Sequence, residues 1–83
     1  MKIELTQRAA RDLDTLERAQ PKLFSRVIAK IQSLGDNPQL GKPLVGPLKG
    51  KWSVRIGDYR VIYEVHSVVV VVLTVNHRRE VYR

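Results

Sequence analysis

The sequence predicts an α+β fold, with two helices packed on one face of a mostly antiparallel four-stranded sheet in the order β-α-α-β-β-β. Two observations predict it. Apolar residues recur twice at helical spacing before residue 36. From residue 52 onward they alternate with polar ones in two runs joined by Gly57-Asp58, and a valine-rich run follows. At 83 residues the chain is one domain, 1–83, with a thin core. That length leaves no room for a second domain, a dinucleotide-binding fold or a deep cleft.

Met1, Ile3 and Leu5 alternate with Lys2 and Glu4, the pattern of a short half-buried strand, and Thr6 then reads as a helix N-cap. Ala9, Leu13 and Leu16 put one apolar stripe on a helix over 7–18. Asp12, Asp14 and Glu17 are interleaved with Arg8, Arg11 and Arg18, which reads as ion pairing on a helix surface rather than a metal cluster. Pro21 suits the first turn of a second helix and Gly35 the position just past its end. Between them Phe24, Val27, Ile28, Ile31 and Leu34 carry the strongest helical period in the chain.

Residues 36–51 hold three prolines and three glycines, so no regular element is expected there. Leu40, Leu44 and Leu48 make this segment a wrap over the sheet edge, and Lys42, Lys49 and Lys51 make it equally a candidate functional loop. Trp52, Val54 and Ile56 then alternate with Ser53 and Arg55. Across Gly57-Asp58, a two-residue turn, Tyr59, Val61, Tyr63 and Val65 alternate with Arg60, Ile62 and Glu64. His66-Ser67 is a weaker turn. The strand at 68–75 is apolar on both faces, which places it in mid-sheet between the hairpin and the N-terminal strand.

Fifteen Lys and Arg against eight Asp and Glu give a formal charge of +7, concentrated in the second half. Nucleic acid, anionic lipid and an acidic protein are the partners such a field attracts. The absence of Cys excludes disulfides and thiol catalysis. His66 and His77 alone make no zinc set, so neither a metal nor a cofactor is expected. The N-terminus lacks a signal-like apolar stretch, and the longest apolar run, 68–73, is far too short to span a bilayer. A cytoplasmic protein with no membrane partner is expected.

A two-residue turn at Gly57-Asp58 sets Arg55 directly opposite Arg60. Alternation sends both to the face away from the helices. Like charges so opposed cost about 0.2–1 kcal/mol unless an anion lies between them. The pair therefore reads either as a site for phosphate or carboxylate, or as two solvated arginines splayed apart. The tail, NHRREVYR at 76–83, adds basic residues interleaved with an imidazole and a phenol, a composition suited to phosphate and base together.

The strings LKG at 48–50, WSVRIGDYRVIYE at 52–64 and HRREVYR at 77–83 resemble the RelE/ParE toxin superfamily of type II toxin–antitoxin modules, and within it the RelE branch. The likeness covers the whole chain. It implies a RelE-like fold and a metal-independent, ribosome-dependent endoribonuclease that cuts messenger RNA in the A site and so inhibits translation. It implies as partners the ribosome and mRNA, a cognate antitoxin with an acidic segment, and promoter DNA only through the antitoxin complex. Carried over by position, Arg55, Arg60, Arg78 and Tyr82 fall on phosphate-binding and catalytic positions. Lys49, Lys51, Ser53, Arg79 and Arg83 flank them as substrate-binding candidates. Ser53 stands where some members have a lysine, His77 where some relatives have one, and the chain stops at Arg83, short of an extension some members carry.

Cleavage by the RNA's own 2′-hydroxyl needs a base, cations for the charge developing at phosphorus and an acid for the departing 5′-oxygen. Arginine serves only the second need. Chemistry alone favours His77 for proton transfer, whereas the resemblance favours Tyr82, as base or as a ring stacked on a nucleobase. Two other readings stand beside this one: a ParE-like gyrase inhibitor, and an inactive homologue that only binds its antitoxin.

Overall fold

The structure, a computed structural model, describes residues 1–77. Strand β1 (Lys2–Leu5) leads into helices α1 (Gln7–Ala19) and α2 (Pro21–Asp36). Strands β2 (Lys42–Pro43), β3 (Trp52–Ile56), β4 (Tyr59–His66) and β5 (Val69–His77) follow, with a short 3₁₀ turn at Gly46–Leu48. The sheet order is β1-β5-β4-β3-β2, with β1 parallel to β5 and the other pairs antiparallel.

This corrects the expected four-stranded, mostly antiparallel sheet to a five-stranded mixed one. The added strand, β2, lies in the segment expected to hold no regular element. Two residues are too few to show a period of two, and Pro43 argues against a strand. It is tolerated because β2 is the outermost strand, where a missing N–H leaves no ladder partner wanting. The central position of the valine-rich strand, between the hairpin and β1, is as expected.

Thr6 caps α1 by accepting a hydrogen bond from the Ala9 N–H (3.0 Å), and Ala9, Leu13 and Leu16 are buried. Gln20 alone separates the helices, its N–H bonded to Leu16 O and its carbonyl accepting from Phe24 N. Pro21 opens α2 as expected, and Val27, Ile31 and Leu34 join the core while Phe24 and Ile28 lie half-buried beside it. Gly35, expected beyond the helix, lies within it. A Cβ there would sit 3.0 Å from the Met1 carbonyl, and the Met1 ammonium donates to Gly35 O at 2.7 Å. Close approach to the start of the chain, rather than helix termination, requires a small residue at 35.

The wrap over the sheet edge is held little by the leucines expected to anchor it: Leu40 and Leu48 are exposed and Leu44 is half-buried. Its anchor is Tyr63, fully buried, whose hydroxyl donates to Pro38 O (2.8 Å) and accepts from Gly41 N (3.0 Å). A side chain at residue 41 has no space, since an added Cβ would lie 2.5 Å from Ser53 O and 2.7 Å from the Tyr63 hydroxyl. Burial pushes the Tyr63 phenol up from its ordinary value, partly offset by the bond from Gly41.

The second turn falls one residue later than read from sequence. His66 pairs with Val69, and Ser67, at φ 51°, takes the left-handed conformation. Further along, β4 and β5 slip by one. Tyr63 faces Val72 but Ile62 faces Thr74, so Leu73 is a bulge. The bulge sits where β1 ends. Thr6 donates from its backbone to Val72 O (3.0 Å) and from its hydroxyl to Leu73 O (2.7 Å). Beyond it β5 has lost its neighbour strand, and the Asp12 carboxylate on α1 accepts from the Val75 N–H at 3.0 Å. Asp12 thus does more than pair with Arg8, whose Nε lies 4.0 Å away.

Candidate nucleic-acid interface

The hairpin register is the one the sequence predicts. Gly57 turns at φ 59°, and Arg55 pairs with Arg60, Val54 with Val61, Ser53 with Ile62. Val54, Ile56, Val61 and Tyr63 enter the core beneath the helices, so alternation sends Ser53, Arg55 and Arg60 to the opposite face. Arg55 is exposed and Arg60 half-buried. The two guanidinium groups do not close on each other. Arg55 Nε donates to Gly57 O (2.8 Å), toward the turn, while Arg60 Nη1 reaches Ser53 Oγ (3.5 Å), away from it. Like charge separates them along the ladder, and both line one open depression of about 410 Å³.

Lys42 lines the same depression. The register sets it opposite Ser53, on the face of the two arginines. In the sequence it is only one of three loop lysines, because its placement depends on the two-residue strand that no pattern announces. Ser53 itself is 5% exposed and positions Arg60 rather than facing solvent.

The remaining candidates are dispersed. Lys51 Nζ lies 3.8 Å from Glu64, whose other oxygen is 2.9 Å from His66 Nε2, so this lysine's charge is partly compensated. Lys49 is exposed at the end of the 3₁₀ turn and does not line the depression. His77 is on the other side of the sheet. It pairs with Tyr59, their rings edge-on at 5.5 Å, and the two border a concavity of about 640 Å³ between the α1–α2 junction and the hairpin turn. Arg60 pairs instead with Asn76. Strict alternation along β5 would carry His77 to the arginine face; the Leu73 bulge reverses it. Arg78, Arg79, Tyr82 and Arg83 lie outside the described residues.

The chain, a mixed sheet backed by two helices with a basic open face, belongs to the ParE toxin family of type II toxin–antitoxin systems. The family model described as "ParE toxin of type II toxin-antitoxin system, parDE" matches residues 3–82. Toxin RelG of Mycobacterium tuberculosis is 35% identical over 85 residues, covering 98% of this chain and 94% of its own. The toxin–antitoxin complex RelBE2 from Mycobacterium tuberculosis contains a chain of 33% identity and TM-score 0.80, with 93% of this chain and 96% of that one covered. The YoeB/ParE toxin from Agrobacterium tumefaciens, at 23% identity, has the same fold with TM-score 0.82 over 93% of this chain and 98% of its own. The protein is therefore a type II toxin of the RelE/ParE kind. Among the described residues no helix is long and apolar enough to cross a membrane.

Proposed function

We propose that this toxin is a ribosome-dependent endoribonuclease that cuts messenger RNA in the cytoplasm and stops translation. The observation that carries the reading is the pair Arg55 and Arg60, fixed opposite each other on the uncovered face and bordering one depression. A phosphodiester drawn between them relieves the repulsion that now parts them. In the reaction the 2′-oxygen attacks the adjacent phosphorus and loses its proton to a base. The bond from phosphorus to the 5′-oxygen breaks, and that oxygen takes a proton from an acid. The arginines supply charge to the phosphorane and no proton. His77 faces the other way, so the reading assigns proton transfer to Tyr82. Such a site is slow on free RNA, and alignment by the ribosome supplies what it lacks.

A cognate antitoxin is the partner this reading requires, as in the RelBE2 complex. Its acidic segment covers the Arg55 and Arg60 face, and promoter DNA is bound through that complex. Expression of the toxin alone, with mapping of messenger 5′ ends, tests the reading. Codon-phased cuts confined to translated RNA are expected, and cuts that appear equally without ribosomes refute the ribosome dependence. The matched family description favours a second reading, a gyrase poison of ParE type. Inhibition of supercoiling by purified gyrase, with messengers left intact, would establish it instead.

A further inference from the structure

We propose that Lys42 is the third cation of a phosphate seat, acting with Arg55 and Arg60. The proposal deepens the reading above and rests on it only in naming RNA as the source of the phosphate. Three separate observations converge on this residue. The ladder places Lys42 opposite Ser53, on the arginine face, and all three cations border the same depression. Among the described residues no Asp or Glu borders it and Lys42 has no ion pair, in contrast to Lys51 with Glu64. Its backbone is held fast, because the residue before it donates to the buried Tyr63 hydroxyl at 3.0 Å and packs against the Ser53 carbonyl too closely to admit a Cβ.

That last point separates Lys42 from an ordinary surface lysine. A side chain on a mobile loop loses backbone and rotamer entropy when it grips an anion, whereas here the backbone part has been lost on folding. Ser53 is nearly buried and holds Arg60 by its hydroxyl, so it brings no charge to this end of the depression. Lys42 brings it from the neighbouring strand. The three cations then approach one phosphate from two directions, the arginines from β3 and β4 and the lysine from β2. The ligand is a single-stranded RNA backbone, since among the described residues three cations from adjoining strands and no carboxylate border the depression.

The test is the binding of a short RNA made uncleavable by 2′-O-methyl groups, measured with the full-length toxin over a range of salt. Each phosphate contact on a single strand contributes a slope of about −0.7 in log affinity against log salt. Lys42→Gln is expected to make the slope shallower by about that amount and to weaken binding severalfold at low salt. Lys42→Arg, which keeps the charge, is expected to retain the wild-type slope. Thermal melting of each variant reports whether the fold is intact. An unchanged slope for a folded Lys42→Gln overturns the proposal, as does failure of the wild type to bind the RNA at low salt. If the wild type binds with a slope that depends on Lys42 yet makes no codon-phased cuts on ribosomes, the seat stands and the cleavage reading falls. If cuts appear and the slope ignores Lys42, the reverse holds.

Discussion

The two faces of the sheet at the hairpin end carry different chemistry. On the open face Lys42, Arg55 and Arg60 surround a depression that no His, Asp or Glu borders among the described residues. On the helix face Tyr59 and His77 meet edge-on above a larger concavity. Arg60 directly follows Tyr59 on β4, yet the pleat puts them on opposite sides. The difference teaches that neighbours in sequence, and even in register, do not form a site unless they share a face. Here a single extra residue, Leu73, decides which face His77 joins.

Mutations can break this contrast at either face. The largest effect is expected from Arg60→Ala, which removes charge from the depression and the bond to Ser53. Ribosome-dependent cleavage should fall about 10²–10³-fold, the range seen when one preorganised donor to a transition state is lost. Gly41→Ala comes next, because the atoms it would strike are backbone and a buried hydroxyl. A loss of about 2–3 kcal/mol is expected from urea unfolding, with detachment of the segment that carries Lys42.

Tyr63→Phe leaves the Pro38 carbonyl and the Gly41 N–H without their partner, for a cost of about 1–3 kcal/mol. It also sharpens a pH dependence. The folded phenol holds its proton above the ordinary value of about 10, so its contribution to stability is intact below that pH and is lost as pH rises through the raised folded value. Alkaline melting curves should show this decline in the wild type and its absence in the Phe variant.

Thr6→Ala should cost about 1–2 kcal/mol, since one hydroxyl both caps α1 and donates to the bulge carbonyl, and Thr6→Ser should recover most of it in thermal melts. The smallest effect is expected from His77→Ala. If proton transfer belongs to Tyr82, cleavage should change by less than about threefold. A loss as large as that of Arg60→Ala would move the reaction to the helix face.

Much of the fold was legible in the residues. The Thr6 cap, the stripe Ala9, Leu13 and Leu16, the Gly57-Asp58 turn and the opposition of Arg55 to Arg60 all follow from local rules of period and turn geometry. The parts that escaped are those in which distant segments decide. Strand β2 exists because β3 offers it a ladder, not because Lys42 and Pro43 favour extension. Gly35 serves the first residue of the chain rather than the end of its own helix. The bulge forms where β1 stops and Thr6 and Asp12 take over the hydrogen bonds of β5, and no property of the valine run announces it.

The sequence by itself determined the two helices, the hairpin and its register, because each depends on contacts within a few residues and on a hydrophobic period that one chain displays openly. Only the tertiary structure decided the fifth strand, the place of Lys42 beside the arginines and the removal of His77 to the far face. Backbone groups left over by one element must find partners in another, and which partners lie within reach is settled by packing rather than by any residue's own preference.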